Sequence, residues 1–436
     1  MLQRLDLRGV ATSDVAALLP RPVVDGDDPV DSVRAIIDAV RADGDAALRA
    51  FAERFDPAVP PSLRVDPDEI AAAWDATSPE LRDALQTAHD GIAAFHATQR
   101  HAHTTSTYLG IEIEARQQPV DRAGCYVPGG RAAYPSTLLM TVVPALTAGV
   151  ESVCVCVPPG ADGHIASITL AAAHVAGVDE VYAVGGAQAI AAMAYGTETI
   201  APVDVIAGPG NAYVAIAKRE VAGDVGIAAA FAGPSEIVVI ADDTAPVGFA
   251  AIDVIVQAEH GPGGLAWLIT WDEAVADAVT DEVARRTASS PRRAEIESTL
   301  AEGGYAVVVD GPEAAVDVAN LIAPEHLQLM VADPDALLER VRHAGAVFRG
   351  ALSPASVGDY VAGPSHVLPT NGTARFAGAL TVADFCKDIH VITCDQTAID
   401  AVAAAVATLA DAEGLAAHAE SVRMRTSAAA GGNAAS

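Results

Sequence analysis

Lysine is almost missing from this sequence. Lys218 and Lys387 are the only two, beside 24 arginines, and 26 basic side chains face 57 acidic ones for a net charge of −31. Such an excess repels phosphates and anionic headgroups, so neither nucleic acid nor a membrane surface is expected as a partner. Cysteine is scarce too. Cys125, Cys154, Cys156, Cys386 and Cys394 form an odd, scattered set without a C-x-x-C pair. That argues for a reducing compartment and against a thiolate zinc site. No apolar signal segment is visible in residues 1–19, where charges are spread throughout. The longest uncharged stretch, 132–150, contains Pro135, Ser136, Thr137, Pro144 and Gly149 and reads as a buried helix rather than a span. These absences lead us to expect a soluble, cytoplasmic protein.

What is present is apolar surface in quantity. With 436 residues and 51% hydrophobic side chains, the chain can bury two or three domain cores and is not disordered. Residues 31–55 place Val33, Ile36, Ile37, Val40, Ala47, Leu48 and Phe51 at helical spacing, and the pattern resumes over 68–100 after a proline-rich break. From 123 to 244 short apolar runs alternate with small-residue helices. Strands are expected at 123–127, 152–157, 180–184, 204–206 and 236–241, with helices such as 164–176 and 187–195 between them. A second such stretch follows, with strands at 265–270 and 306–309, and residues 398–425 read as tail helices before a disordered end at 425–436. Apolar strands separated by helices imply parallel sheets covered on both faces. The expected architecture is therefore α/β, with two parallel-sheet, incomplete Rossmann-like domains, N-terminal helices and a helical C-terminal tail.

Several short motifs carry chemistry. Gly185-Gly186-Ala187-Gln188 and Gly208-Pro209-Gly210-Asn211 each follow a strand and open a helix. Such turns let a pyrophosphate approach backbone N–H groups, although neither matches G-x-G-x-x-G and plain strand–helix connections look the same. In QAEHGPGG (257–264), a helix over 246–256 runs into Gly261, so Gln257 and His260 share the face of its last turn. With Asp359 and His418 they make an N/O donor set suited to Zn²⁺ or Mn²⁺. Spacing alone does not bring the four together, and a capping amide with a surface imidazole is the alternative. Glu325 and His326, adjacent after Pro324, point to opposite faces if extended, each serving a separate proton transfer. An ordinary polar loop pair fits them as well. His101 and His103 read as a solvated polar loop, and Cys154 and Cys156 as core.

In order along the chain these segments resemble the histidinol dehydrogenase family. The matching blocks are GCYVPGGRAAYPST (124–137), VGGAQAIAAMAYGT (184–197), GPGNAYVAIAKR (208–219) and AGPSEIVVIAD (232–242). QAEHGPGG (257–264), APEHLQL (323–329), SVGDYVAGPSHVLPT (356–370), GTARF (372–376) and EGLAAHA (413–419) continue them. The resemblance implies oxidation of L-histidinol to L-histidine in two NAD-dependent steps through a bound aldehyde, with one Zn²⁺ per subunit. By motif position it implies Gln257, His260, Asp359 and His418 as metal ligands and Glu325 and His326 as the acid–base pair. It implies Ser235, His366 and Glu413 as substrate contacts beside Gln257, His260, His326, Asp359 and His418, and Tyr126, Gln188 and Asn211 as NAD contacts. A homodimer with shared active sites follows, the tail completing the partner's site.

The corresponding division expects a helical extension over 1–25 and a substrate and zinc domain from 26–122 and 235–380. A Rossmann-like NAD domain is expected over 123–234 and a helical tail over 381–436. Ala383 and Asn371 depart from the family pattern. On a continuous helix Glu413 and His418 sit roughly 140° apart, so Gly414 is expected to break it. Two competing readings are a zinc hydrolase in which Glu325 activates water, and a non-enzymatic metal- or nucleotide-binding regulator. The first leaves the glycine-rich turns unexplained, and the second needs no acid–base pair.

Overall fold

Apolar runs of two to six residues, nearly all buried, form the two main sheets, and each run is too short to be anything but a strand flanked by glycine and proline. The computed structural model describes residues 1–20, 29–100, 102–129, 132–228, 235–261 and 263–427. Strands are numbered here along the chain. β1 is Gln3–Asp6, β2 Thr104–Tyr108, β3 Ile111–Pro119, β4 Arg122–Tyr126, β5 Ser152–Cys156, β6 Val181–Tyr182 and β7 Val205–Ala207. β8 is Gly226–Ile227, β9 Glu236–Ala241, β10 Leu265–Thr270, β11 Gly304–Val308, β12 His326–Met330, β13 Ala346–Arg349 and β14 Cys386–Thr393.

A five-stranded parallel sheet has the order β6-β5-β4-β7-β8, and a six-stranded parallel sheet the order β1-β11-β10-β9-β12-β13. Both contain the same winding. The chain enters at a central strand, steps outward twice, then returns to the other side, which leaves a switch point between β4 and β7 and another between β9 and β12. The architecture is the expected α/β pair of incomplete Rossmann-like sheets. Glu236–Ala241 continues the run of apolar strands in sequence but is the centre of the second sheet.

Contact clustering divides the chain into two units, Met1–Gln99 with Val120–Phe385, and Arg100–Pro119 with Cys386–Ser436. In the first unit, Val33, Ile36, Ile37, Val40 and Leu48 share one core with Tyr126, Tyr182, Ile190 and Ile206. The early helices thus cover the five-stranded sheet, whereas the sequence grouping of 26–122 with 235–380 put them with the other. Periodicity gives a helix an apolar face and does not say which sheet receives it. Residues 1–20 are not wholly helical either. β1 pairs with β11 as an edge strand before the Thr12–Leu18 helix, its four residues being too few to show alternation.

The second unit contains an antiparallel sheet of order β14-β3-β2 and two helices, Gln396–Ala412 and Ala416–Arg423. The tail over 381–436 therefore opens with a strand, paired residue for residue with β3 from Cys386 opposite Pro119 to Thr393 opposite Glu112. Its polar, exposed composition hid it from a search for apolar runs. Gly414, at φ +75°, does end the first helix. The N–H of Leu415 reaches the Ala410 carbonyl at 2.8 Å and that of Gly414 the Asp411 carbonyl at 3.0 Å, the paired closure of a left-handed cap. Ser427 donates to Asp400 at 2.8 Å, so the chain is ordered to that point, and 428–436 lie outside the described residues.

Leu268, fully buried in β10 at the middle of the larger sheet, reports on that core. Leu268→Ala is expected to lower stability by about 2–5 kcal/mol in urea denaturation, against less than about 0.5 kcal/mol for the solvent-facing Arg4→Ala on β1.

Candidate active site

The parallel pairing of β9 with β12 sets His326 opposite Ile237, so Glu236, Glu325 and His326 meet at the amino ends of two neighbouring strands. All three are buried. The Glu236 amide donates to Glu325 Oε2 at 2.9 Å, and the Glu236 carbonyl accepts from His326 Nδ1 at 3.1 Å. Since a carbonyl can only accept, Nδ1 carries a proton and Nε2 is left facing Asp359 Oδ1, 3.3 Å away. The expectation that Glu325 and His326 act on opposite faces does not hold for their polar ends. Glu325 precedes the strand and its carboxylate folds back along the β9 edge to within 3.5 Å of His326 Nδ1. The Phe348 ring stacks on the imidazole at 5.8 Å.

Asp359, in the Ala355–Tyr360 helix, collects the other candidates. Gln257 Nε2 donates to its Oδ2 at 3.4 Å, its main-chain carbonyl lies 3.0 Å from His366 Nδ1, and His366 Nε2 lies 3.1 Å from the Thr137 hydroxyl. Gln257 is buried at the end of the Val247–Ala258 helix, and its amide oxygen accepts no hydrogen bond among the described residues. His260, just past that helix and before Gly261 at φ +115°, is exposed, and its imidazole acts on the Asp359 carboxylate. Ser235 precedes β9, and its carbonyl accepts from Leu265. His418 and Glu413 belong to the second unit. Among the described residues no group of three or more His, Cys, Asp and Glu is gathered closely enough to hold a metal. His101, residues 130–131 and 232–234, and Pro262 of the quoted motifs lie outside the described residues.

Charge is concentrated here. Burial works against a protonated His326, yet Glu325 and Asp359 together raise its pKa to about 10. Burial opposes the Asp359 charge as well, and hydrogen bonding to His326 overcomes it, holding that carboxyl below its usual range. Burial lowers His366. Glu236 is the residue that sequence reasoning passed over. Its Oε1 accepts from the Asn371 amide at 3.0 Å while the buried Oε2 has no partner. The signal was available as a carboxylate opening an otherwise apolar strand, EIVVIA. Asn371 itself sits at φ +56°, a left-handed position that Asn tolerates better than most side chains.

The second candidate constellation lies at the carboxyl edge of the smaller sheet. Tyr126 ends β4, and its hydroxyl accepts from the Gly186 amide at 3.0 Å. Burial pushes this phenol up to about 12. Gln188 is buried in the first turn of the Gly186–Tyr195 helix. Asn211 is exposed and caps the Ala212–Val221 helix, its Oδ1 accepting from Val214 at 3.1 Å. The turns are glycine by necessity, since a Cβ on Gly185 would meet Pro158 at 2.5 Å and one on Gly208 the Tyr126 carbonyl oxygen at 2.0 Å.

Burial, with Glu325 adding to it, raises Glu236 to about 7. A carboxyl raised in the folded state stabilises most below its unfolded value, and that stability is lost as pH climbs toward 7. Glu236→Gln, which cannot ionise, is therefore expected to gain on the wild-type chain by about 2 kcal/mol between pH 5.5 and 7.5 in urea titrations. Parallel pH dependence of the two proteins would show that Glu236 is not buried as a carboxylate.

The family model for histidinol dehydrogenase matches residues 19–426. The histidinol dehydrogenase of Parasynechococcus marenigrum is 49% identical over 396 residues, covering 91% of this chain and 90% of that one. That of Synechococcus sp. is 51% identical over 399 residues, covering 90% and 91%. The crystal structure of histidinol dehydrogenase from Elizabethkingia anophelis superposes with a TM-score of 0.93 at 35% identity, covering 97% of this chain and 98% of that one. With the two wound sheets and the Glu325–His326–Asp359 cluster already placed, these matches are decisive, and the chain belongs to the histidinol dehydrogenase family.

Proposed function

We infer that this protein oxidises L-histidinol to L-histidine in two NAD-dependent steps, keeping the intermediate aldehyde bound. The observation that carries this reading is the chain of contacts from Gln257 through Asp359 to His326 and Glu325 at one sheet edge. The donor chemistry fits a zinc ion. Gln257 offers an oxygen uncommitted among the described residues, Asp359 a carboxylate and His260 an exposed imidazole that acts on it, and the cluster's carboxylates outnumber its cation. Gln257, His260 and Asp359 would hold the metal with His418, and Ser235, His366 and Glu413 would contact substrate. The turns beside Tyr126, Gln188 and Asn211 let a dinucleotide approach the backbone at the β4/β7 switch point. That feature favours a dehydrogenase over a zinc hydrolase.

When bound, zinc would hold the substrate and NAD would accept hydride at each oxidation. His326, raised by the uncompensated Glu325 and Asp359 carboxylates, would be freed to take the hydroxyl proton in the first step once metal charge on Asp359 offsets them, its Nδ1–H staying on the Glu236 carbonyl. Glu325, held by the Glu236 amide, takes a proton from the water that adds to the aldehyde. Burial of the pair limits escape of that reactive intermediate. A homodimer is supported by the second unit, whose small core of Ala407, Ala410 and Ala419 contrasts with Ile392, Leu409 and Met424, each 66% exposed. We assign the cover over those side chains to a second copy, whose site would receive His418 and Glu413.

Histidinol supplied with NAD should yield two NADH per histidine, followed by absorbance. Activity should vanish after exhaustive chelation and return with zinc or manganese. Absence of NADH would overturn the dehydrogenase reading, and full activity in a preparation shown metal-free by elemental analysis would overturn the metal assignment alone.

The shared site has its own test. His260→Ala and His418→Ala chains, each inactive, are expected to form heterodimers on co-expression that recover roughly a quarter to a half of wild-type activity, since one of two sites is intact. Heterodimers that form and stay inactive would mean the tail serves its own subunit.

A further inference from the structure

Lys218 is the cation this chain has least reason to bury. In a sequence that otherwise uses arginine for nearly every positive charge, it sits inside the Ala212–Val221 helix with 2% of its surface exposed. No carboxylate accompanies it among the described residues. Its Nζ donates to the Gly208 carbonyl, its one hydrogen bond among the described residues. Helices Gly186–Tyr195 and Val30–Asp43 pack on that helix, and among the described titratable groups only the Cys125 thiol of β4 acts on the ammonium. Burial pushes that thiol up to about 12, so it is neutral and offers no counter-charge. Burial also lowers Lys218 to about 8. An arginine here would bring five donors to a single carbonyl, whereas a compact ammonium can be aimed at one.

The carbonyl it holds belongs to the glycine-rich turn. Gly208, at φ +110°, is pressed against the Tyr126 main chain, and three residues on comes Asn211 with the capped helix start. The Tyr126 hydroxyl holds Gly186 in turn, which opens the helix carrying Gln188. The three segments assigned to the cofactor are thus tied to one another, and Lys218 is the tie on the buried side. We propose that Lys218 is a positioning residue for NAD, its ammonium pinning the Gly208 carbonyl so that the turn presents Asn211 beside Tyr126 and Gln188. This inference rests on the assignment of Tyr126, Gln188 and Asn211 to NAD.

Lys218→Met keeps the apolar stem and removes the donor. NAD titrated calorimetrically into the metal-loaded dimer without histidinol should bind about tenfold more weakly, and KM for NAD should rise in step. The kcat at saturating NAD and KM for histidinol should stay within about twofold. In the wild-type dimer, NAD affinity should weaken as pH rises from 7 to 9.5 and the ammonium loses its proton, while the variant stays flat over that range. Unchanged NAD binding in Lys218→Met, or equal losses in kcat and both KM values, would overturn the proposal. If the variant does not fold, Lys218→Leu takes its place, and unchanged NAD binding there overturns the proposal. Gln188→Ala separates the two layers of inference. If it binds NAD normally, the cofactor assignment itself has failed; if it weakens binding while Lys218→Met does not, only the role of Lys218 has.

Discussion

The pairing of β9 with β12 is the constraint on which the site depends. Main-chain groups of one residue, Glu236, hold both members of the proposed acid–base pair, the amide taking Glu325 and the carbonyl taking His326. These groups belong to a strand buried on both faces and hydrogen-bonded on both sides, so their directions are set by the ladder rather than by a loop. A side chain oriented by a sheet ladder is held more tightly than one oriented by a rotamer alone, and acid–base work depends on that preorganisation. The arrangement also fixes orientation, because the carbonyl holds Nδ1–H of His326 and so aims the other ring nitrogen at Asp359.

The two sheets share a winding but present their candidate sites at opposite edges. Tyr126 and the glycine turns follow β4, β6 and β7, at the carboxyl edge of the smaller sheet, where helices begin. Glu236, His326 and Gln257 lie at the amino edge of the larger one, where the Val247–Ala258 helix ends. Helix starts favour anions and helix ends favour cations. The carboxyl edge therefore suits a pyrophosphate, and the amino edge, already rich in carboxylate, suits a metal ion. Open α/β sheets usually bind ligands at the carboxyl edge of the switch point. A metal held at the amino edge of the larger sheet would depart from that habit, and the carboxylates there supply the electrostatic reason. Between the two edges runs a short polar path in which Thr137 touches His366 and His366 touches the main chain at Asp359.

Much of this was legible in the residues. Strands such as Glu236–Ala241 and Leu265–Thr270 emerge at their sequence bounds because they are apolar runs, broken only by a terminal Glu236 or Thr270, that follow glycine-rich turns. The Gly414 break followed from the geometry of a continuous helix, and the paired cap confirms it. The convergence of Gln257, Asp359 and His326 was not legible from spacing, since 102 residues separate the first two and only the tertiary fold brings them together. It entered through family likeness. β14 and β2 stayed hidden because exposed, polar antiparallel strands carry no apolar signature. Glu236 was missed for a different reason. One carboxylate at the head of an apolar strand looks like a strand terminus until its neighbour in the sheet is known.

Buried charge is expensive, and where this protein tolerates it without a compensating partner is informative. Most of its ion pairs are surface arginine–carboxylate contacts, Arg285 and Arg286 on Glu282 or Arg349 on Asp335, which contribute little to stability. Among the described residues, Asp253, Glu236 and Lys218 depart from that economy, and the last two adjoin the proposed sites. The Glu236 carboxyl keeps one oxygen unsatisfied at the amino edge of the larger sheet, and Lys218 keeps an ammonium with a single acceptor beneath the turn of the smaller one. Replacing either by an apolar side chain of similar volume would relieve desolvation, so folding alone gives no reason for them. One adjoins the groups proposed to move protons, the other the turn proposed to seat NAD. If those proposals hold, stability is given up at both places where position and charge matter, while the apolar sheet interiors on either side supply what is lost.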